Sequence, residues 1–489
     1  MRKFKITVVI LAIMGIAIPA AGANFAFHGD MNNRALVYTN HNDWLNANND
    51  SFGVINNKTV SDEYAELKYR FWTEIGDDDD NIKGVYAIEI GGVRWGREGS
   101  GKSEGGSFSG DGANVETRWA YLDFQLPFIE RKARARMGLQ PFKANHYFWQ
   151  ETATALDFTS LINDKIDYQL AYVRSVDKFN DIADNANDDI DNVDSIYGRV
   201  NAKLNDNLKV GLWGLYMHGN PDSGTNGNID SRDYEIKKFA SDTNLGVYTI
   251  GTDGSAAFGN FFVNWDLMYQ GGNVNDADFF DATPGTPRQT NDEPPPAVPD
   301  VPAASGDFDL SAYFLHADLG YKMGKAKFTY TFWYSSGDND PSDKNFDAYL
   351  AVDVDMDDSM TMFEGSYVDD VSLFTERPYL LDKGFVMNKL AFDYQWTENF
   401  AVGAAGMYMM TAEDFEYVDD NGNNQSNNEV GVEVNGYIKY MLYKNLEFSL
   451  NAGYLFAGDG MDFFEVGGNR DGNSDENIFV SSARVRFKF

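Results

Sequence analysis

From Ala65 the odd positions read Ala65, Leu67, Tyr69 and Phe71, while the even ones read Glu66, Lys68, Arg70 and Trp72. The same period of two returns from Phe261, where Phe261, Val263, Trp265, Leu267 and Tyr269 alternate with Asn260, Asn264, Asp266 and Gln270, with Phe262 and Met268 as exceptions. From Val430 it runs through Val432, Val434, Gly436, Ile438 and Tyr440, against Glu429, Glu433, Asn435 and Lys439. Successive strand side chains point to opposite faces, so each stretch predicts a strand with one apolar and one polar face. No sustained 3.6-residue apolar period competes with this pattern. A soluble sandwich with its apolar faces inside would show the same period, so the alternation alone does not settle the architecture.

Connection lengths do. Tight turns are expected at Gly76 to Asn81, Pro127 to Arg131, Asn205 to Asn207, Thr252 to Ser255, Met323 to Lys325, Glu398 to Phe400 and Lys444-Asn445. Between them lie long polar stretches at roughly 40 to 61, 96 to 113, 176 to 194, 219 to 243, 272 to 307, 338 to 383, 414 to 428 and 459 to 476. Short periplasmic turns opposite long extracellular loops are the asymmetry of an outer-membrane β-barrel. Counting upward and downward strands from Phe25 to Phe489 gives an all-β transmembrane antiparallel barrel of 18 strands. Residues 141 to 164 admit two readings. They form either a short loop, a strand near Thr152 to Leu161 and a turn at Asn163-Asp164-Lys165, or one long loop folded into the lumen, which leaves 16 strands if the strand near Tyr168 to Arg174 joins it.

A mean hydropathy of -0.43 with 24% charged residues resembles a soluble protein. A membrane barrel shows lipid only every second residue and averages the same way. The first 23 residues carry a basic start, Met1-Arg2-Lys3-Phe4-Lys5, an apolar run from Ile6 to Ile18 and small residues at Ala21-Gly22-Ala23. This is the plan of a cleaved signal peptide, with the barrel domain over 24 to 489. The apolar run of about 13 residues falls short of the roughly 20 that a membrane-spanning helix needs. Without Arg2, Lys3 and Lys5 the balance is 37 basic to 75 acidic residues, which argues against nucleic acid as a partner. Runs such as Asp77 to Asp80, Asp188 to Asp191 and Asp353 to Asp358 are expected in solvated loops. With no cysteine, thiolate metal sites and cysteine nucleophiles are excluded.

Few motifs point to chemistry. Gly96 to Ser103 matches a phosphate-binding P-loop letter for letter. Such a loop works by opening a helix whose amides face phosphate, and the glycines between Glu104 and Ala113 oppose that helix, so no nucleotide is expected. The five histidines, His28, His41, His146, His218 and His316, form no ligand pair and no Ser-His constellation. Neither an enzyme nor a cofactor is therefore expected. Calcium favours oxygen-rich loops, and Asn187, Asp189 and Asp191 are the candidates, although Ile190 stands where an EF-hand has glycine. Asp419 to Gly422 misplaces its glycine too. The segment from Glu293 to Pro299 is expected to be an exposed polyproline-like spacer.

Basic residues recur on the inferred lumenal parity: Arg34 in the first strand, Lys68 and Arg70 in the second, Lys132, Arg134 and Arg136 in the fifth, Arg484 and Arg486 in the last. First and last strands must be neighbours in a closed barrel, so these positions are expected to form a positive wall that orders water and screens solutes. The aromatic-rich excursion after the fifth strand, with His146, Tyr147, Phe148, Trp149 and Glu151, would fold back, bury its rings against that wall and narrow the channel. In this the chain resembles the bacterial trimeric porins, whose third loop constricts the pore opposite a basic cluster. Gly138-Leu139-Gln140-Pro141-Phe142 looks like the loop entry of the homotrimeric porins of anaerobic Gram-negative bacteria.

The resemblance implies a homotrimer, and the segment Lys209 to Met217, where Val210, Leu212, Trp213 and Leu215 leave no clean polar face, is a candidate contact. The final strand alternates Phe479, Ala483, Val485, Phe487 and Phe489 with Ser482, Arg484, Arg486 and Lys488. Phe487 and the closing Phe489 resemble the signal read by the barrel-assembly machinery, and the expected surroundings are outer-membrane lipid and lipopolysaccharide. The expected function is passive diffusion of small hydrophilic solutes and ions through a water-filled channel, with mild anion preference. The alternatives are a substrate-specific sugar or anion channel, and a structural or adhesive barrel with calcium-binding loops.

Overall fold

A computed structural model describes residues 23–40, 61–97, 105–106, 113–127, 129, 132–177, 192–219, 227–230, 236, 239, 243–280, 302–340, 343–354, 356–363, 377–465, 470–474 and 477–489. The expected signal segment except Ala23, the calcium candidates Asn187, Asp189 and Asp191, the spacer at 293 to 299 and most of the P-loop match lie outside them.

Eighteen strands of ten residues or more form the wall. They are β1 (Ala23–Thr39), β2 (Asp62–Asp77), β3 (Ile82–Arg94), β4 (Glu116–Gln125), β5 (Ala133–Asn145), β6 (Trp149–Asn163), β7 (Ile166–Asp177), β8 (Asn192–Asn205), β9 (Leu208–Gly219), β10 (Asn244–Phe258), β11 (Phe261–Phe280), β12 (Pro302–Met323), β13 (Ala326–Ser335), β14 (Phe385–Thr397), β15 (Phe400–Val418), β16 (Asn424–Tyr443), β17 (Leu446–Ala457) and β18 (Ile478–Lys488). Every neighbour pairs antiparallel with the next, and β18 pairs with β1 from Asp30↔Lys488 to Thr39↔Phe479. Closure leaves the wall without an edge, as an apolar solvent requires, because no lipid can satisfy an orphaned backbone group.

The alternation reads out as expected. Phe25, Ile75, Leu122, Leu156, Leu170, Ile196, Leu212, Ile250, Phe261, Leu319, Leu390, Val434 and Phe456 are all exposed on the outer face. So continuous an apolar surface would aggregate in water, and it is the belt of a transmembrane barrel. Both ends of the wall share one end of the barrel with the turns after β2, β6, β8, β10, β12, β14 and β16, while the β5–β6 and β15–β16 turns lie at the other end.

The boundaries depart from expectation in three places, one being the long loop expected at 272 to 307, where β11 runs on to Phe280 and β12 already starts at Pro302. The turn expected at Thr252 to Ser255 is strand: β10 continues to Phe258, and the turn is Gly259-Asn260, with Gly259 at φ 63°. Cross-strand partners Trp213 and Trp265 cover Gly251 and Gly254, which is why these glycines sit in a strand and not in a turn. The long loop expected at 414 to 428 is also mostly strand, since β15 and β16 run on to Val418 and from Asn424. Asp419 closes that tip by accepting from Asn421 N at 2.9 Å, Asn423 N at 2.7 Å, Asn423 Nδ2 at 3.0 Å and Gln425 Nε2 at 2.8 Å. These donors hold its carboxyl down to about 2.

Candidate lumenal site

Two elements leave the wall and enter the lumen. The first is the β5–β6 hairpin. β5 stays on β4 only as far as Ala120↔Leu139, and β6 stays on β7 only from Thr154↔Arg174. Residues 140 to 153 therefore leave their wall neighbours and pair with each other down to Asn145↔Trp149. The bend falls at Gly138, whose φ of 122° and whose absent Cβ, which would sit 2.4 Å from the Ala120 carbonyl oxygen, exclude other residues. The sequence left this stretch as a loop or a strand pair. It is a strand pair that also reaches inward.

The second element is the connection between β13 and β14. Its segment 345–354 crosses the lumen and bridges Asp353 to Trp149, with Gln150 N donating to Asp353 O at 2.8 Å and Val352 N donating to Phe148 O at 2.8 Å. We term residues 345–363 the strap. Its run Ala348-Tyr349-Leu350-Ala351-Val352 is buried, and with Tyr147, Phe148, Trp149, Trp213, Phe314, Trp333 and Phe385 it forms an apolar core inside the barrel. Tyr349 OH donates to Tyr147 O at 2.9 Å. Burial pushes the phenols of Tyr147 and Tyr349 well above the ordinary tyrosine range. At its far end the strap is caught by Glu433 of β16, which accepts from Ser359 Oγ at 2.5 Å, Met360 N at 2.9 Å, Thr361 N at 3.2 Å and Thr361 Oγ at 2.5 Å. Lys389 of β14 pairs with Asp358 at 3.2 Å. Asp353 and Asp358, expected in a solvated loop, are thus inside the lumen, because a chain that crosses the barrel brings its polar residues to facing wall groups.

The basic residues lie on the lumenal parity, but each described rung carries acid. Arg34 pairs with Glu66 at 2.6 Å, both buried. Glu89 of β3 collects Arg70 at 2.6 Å, Arg118 at 2.6 Å and Lys68 at 3.7 Å. Asp123 of β4 lies between Arg134 at 2.6 Å and Arg136 at 3.3 Å, and Arg486 meets Asp30 at 2.5 Å. Arg484 stands opposite Arg34 in the β1–β18 register. Lys132 precedes β5 and is exposed at the turn end. The wall is therefore a ladder of ion pairs with an excess of cations. Burying a guanidinium without a partner is costly, so the carboxylates from β3 and β4 are what permit this density.

The hairpin rings do not pack on that ladder. Tyr147 lies 5.0 Å from Phe314, 4.6 Å from His316 and 5.3 Å from Trp333, while Phe148 lies 5.6 Å from Trp213. Apolar rings follow the apolar lumenal face of β9 to β13 and not a charged one. Of the five expected constriction residues Glu151 faces the ladder, 3.8 Å from Arg118, and His146 Nδ1 contacts Gln150 Oε1 at 3.3 Å. The missing polar face of Lys209 to Met217 has the same cause: Trp213, Leu215 and Met217 are buried beneath the hairpin and strap, so no subunit neighbour is needed to explain it. On the turn side of the hairpin lies a cavity of about 820 Å³ lined by Lys143, Arg199, Lys203, Lys209, Asp253 and Asp266 among others. Arg199 pairs with Asp253 at 2.5 Å, and Asn145 Nδ2 reaches Asp266 at 2.7 Å, which fixes the hairpin over this cavity. Sequence reading missed the strap, although five successive apolar residues in a polar loop were its signal.

Among the described residues no group of three or more histidines, aspartates or glutamates is placed to hold a metal ion. No family model matches the sequence, and no curated protein matches it. Among solved structures the chain is similar to Pseudomonas aeruginosa OccK8 (OprE), at 10% identity over 95% of this chain and 98% of that one, with a TM-score of 0.48. It is similar to Pseudomonas aeruginosa OpdK, solved with vanillate, at 9% identity over 95% and 98%, with a TM-score of 0.47. It is also similar to the outer membrane channel DcaP of Acinetobacter baumannii, at 14% identity over 96% and 98%, with a TM-score of 0.41.

Proposed function

We propose that this barrel is an outer-membrane channel for passive diffusion of small hydrophilic solutes and ions, inserted by the barrel-assembly machinery after signal-peptide cleavage. The observation that carries the reading is the pairing of a closed 18-strand wall, apolar outside, with a lumen whose ladder and cavity are charged and accessible. A structural or adhesive barrel has no need of a hydrated charged lumen, which is expensive to build. The strap and hairpin fill the lumen beside β8 to β14, the far end of the strap reaches across to β16, β17 and β18, and the polar lane is left along β1 to β5. This partial filling favours a selective channel over a wide general pore.

The assembly is proposed as a homotrimer in lipid and lipopolysaccharide, with no cofactor and no nucleotide. Excess cations along the lane support mild anion preference, against acidic loop segments that enrich cations at the mouth. Purified protein in planar bilayers should give discrete, ohmic conductance steps. Failure to conduct in any salt would leave the structural or adhesive reading.

A further inference from the structure

We infer that Trp72 and Trp119, with His28, form a stacking platform for a neutral saccharide in the lane beside the root of the hairpin. This rests on the channel reading and names its solute class. The three rings share the lumenal parity of the ladder. His28 faces Trp72 across β1–β2, and Ala87 lies between Trp72 and Trp119 across β3. Ala87 is buried and small, so the two indoles meet above it, 5.9 Å apart at 64°, while His28 stacks on Trp72 at 5.1 Å and 22°. Any larger residue at 87 would part them.

The platform sits where the hairpin leaves the wall. Trp119 Nε1 donates to Thr152 Oγ1 at 3.2 Å, and Thr152 belongs to the detached part of β6. A solute passing between hairpin and ladder therefore passes the indoles. All three rings keep part of their surface accessible. A tryptophan deep in a core would be expected to surrender both faces. These do not, although an aromatic ring in a water-filled lumen costs hydration that only a partner offsets.

The flanking groups select the partner. Lys68, Arg70 and Arg118 converge on Glu89, and Arg118 also approaches Glu151. An anion would have to compete with Glu89 for all three cations, and a cation would meet their field. A neutral polyol disturbs none of these pairs. Its hydroxyls accept from guanidinium N–H groups and donate to carboxylate lone pairs that the pairs leave over, while the flat apolar face of a pyranose covers an indole.

The test is current block by maltotriose in planar bilayers, with benzoate as the aromatic anion. Saturable block by maltotriose is expected in the millimolar range. Half-saturation should rise about tenfold or more in the Trp72→Ala/Trp119→Ala double variant, as loss of stacking contacts implies. Trp72→Phe/Trp119→Phe, which keeps ring packing, should fall between, and Leu122→Ala on the lipid face of β4 should match the parent. A conducting channel blocked by benzoate and not by maltotriose, or by neither, overturns the platform and leaves the channel reading intact. If the parent does not conduct, the channel reading fails. Quenching of tryptophan fluorescence by maltotriose in detergent then decides the platform alone, and no quenching overturns it.

Discussion

Gln270 of β11 holds Leu350 of the strap as a neighbouring strand would: its Nε2 donates to Leu350 O at 2.9 Å, and its Oε1 accepts Leu350 N–H at 3.0 Å. Both residues are fully buried, so one side chain satisfies two backbone groups that cross the lumen far from any sheet partner. Gln270→Leu keeps the volume and removes both bonds. Each orphaned buried group costs about 1–3 kcal/mol. The strap should loosen: its amides at 349 to 352 exchange faster, and single-channel conductance becomes larger and less uniform. Unchanged exchange at Leu350 would show that the apolar core alone seats the strap.

The wall was legible because its pattern is local. Alternation, even strand count and short turns follow from a period of two and from the need to close, both visible in one sequence. What enters the lumen was not. The hairpin's departure depends on Gly138 bending away from Ala120, and the strap's seat on Gln270 and Glu433, residues about 80 and 70 positions from their partners. Charge density at Asp353 to Asp358 read as solvation, and the apolar run just before it was the stronger clue. Likewise the cations of β2 and β5 were visible, but Glu89 and Asp123 lie on strands that sequence alone does not align with them.

Asp338, just beyond β13, makes the base of the strap connection sensitive to pH. Burial, and then the Asp382 charge, push its carboxyl up to about 7, against the opposing Asp340 N–H and Lys383, with Asp347 adding to the rise. Lys383 Nζ donates to Asp338 O at 3.1 Å and pairs with Asp382 at 3.2 Å. A carboxyl that holds its proton more tightly when folded contributes stability that is complete below about pH 4 and is lost as pH rises through 7. Raising pH from 4 to 8 should therefore speed amide exchange around 336 to 340 and 380 to 384. Asp338→Asn, permanently neutral, should abolish that dependence, and persistence of the same pH profile in the variant would assign it to another group.

Barrel closure places the Phe489 ring on Gly29. Phe489 N donates to Gly29 O at 3.0 Å and Gly29 N to Phe489 O at 2.9 Å, while a Cβ at 29 would lie 2.4 Å from the ring. The ring also contacts Phe27 at 5.7 Å and Phe487 at 5.1 Å, so it completes an outer aromatic patch at the seam. Gly29→Val should displace the ring without touching the lumen. Folding into lipid vesicles, followed by heat-modifiable mobility on gels, should slow several-fold in Gly29→Val and in Phe489→Ala alike. Parental folding rates in both would separate the aromatic patch from assembly.

The expected control point of ion selectivity is Asp123, whose buried carboxylate is held between Arg134 and Arg136. Removing both arginines does more than subtract two cations, because it leaves that carboxylate as the uncompensated charge of its rung. Arg134→Ala/Arg136→Ala should move the reversal potential under a salt gradient toward cation selectivity. Asp123→Asn frees the two guanidinium groups and should move it toward anions. Opposite shifts identify this rung as part of the selective lane, since a bulk field from the acidic loop segments would be changed little by either variant. A potential that stays put in both places the limiting charges elsewhere, along the Glu89 rung or at the mouth.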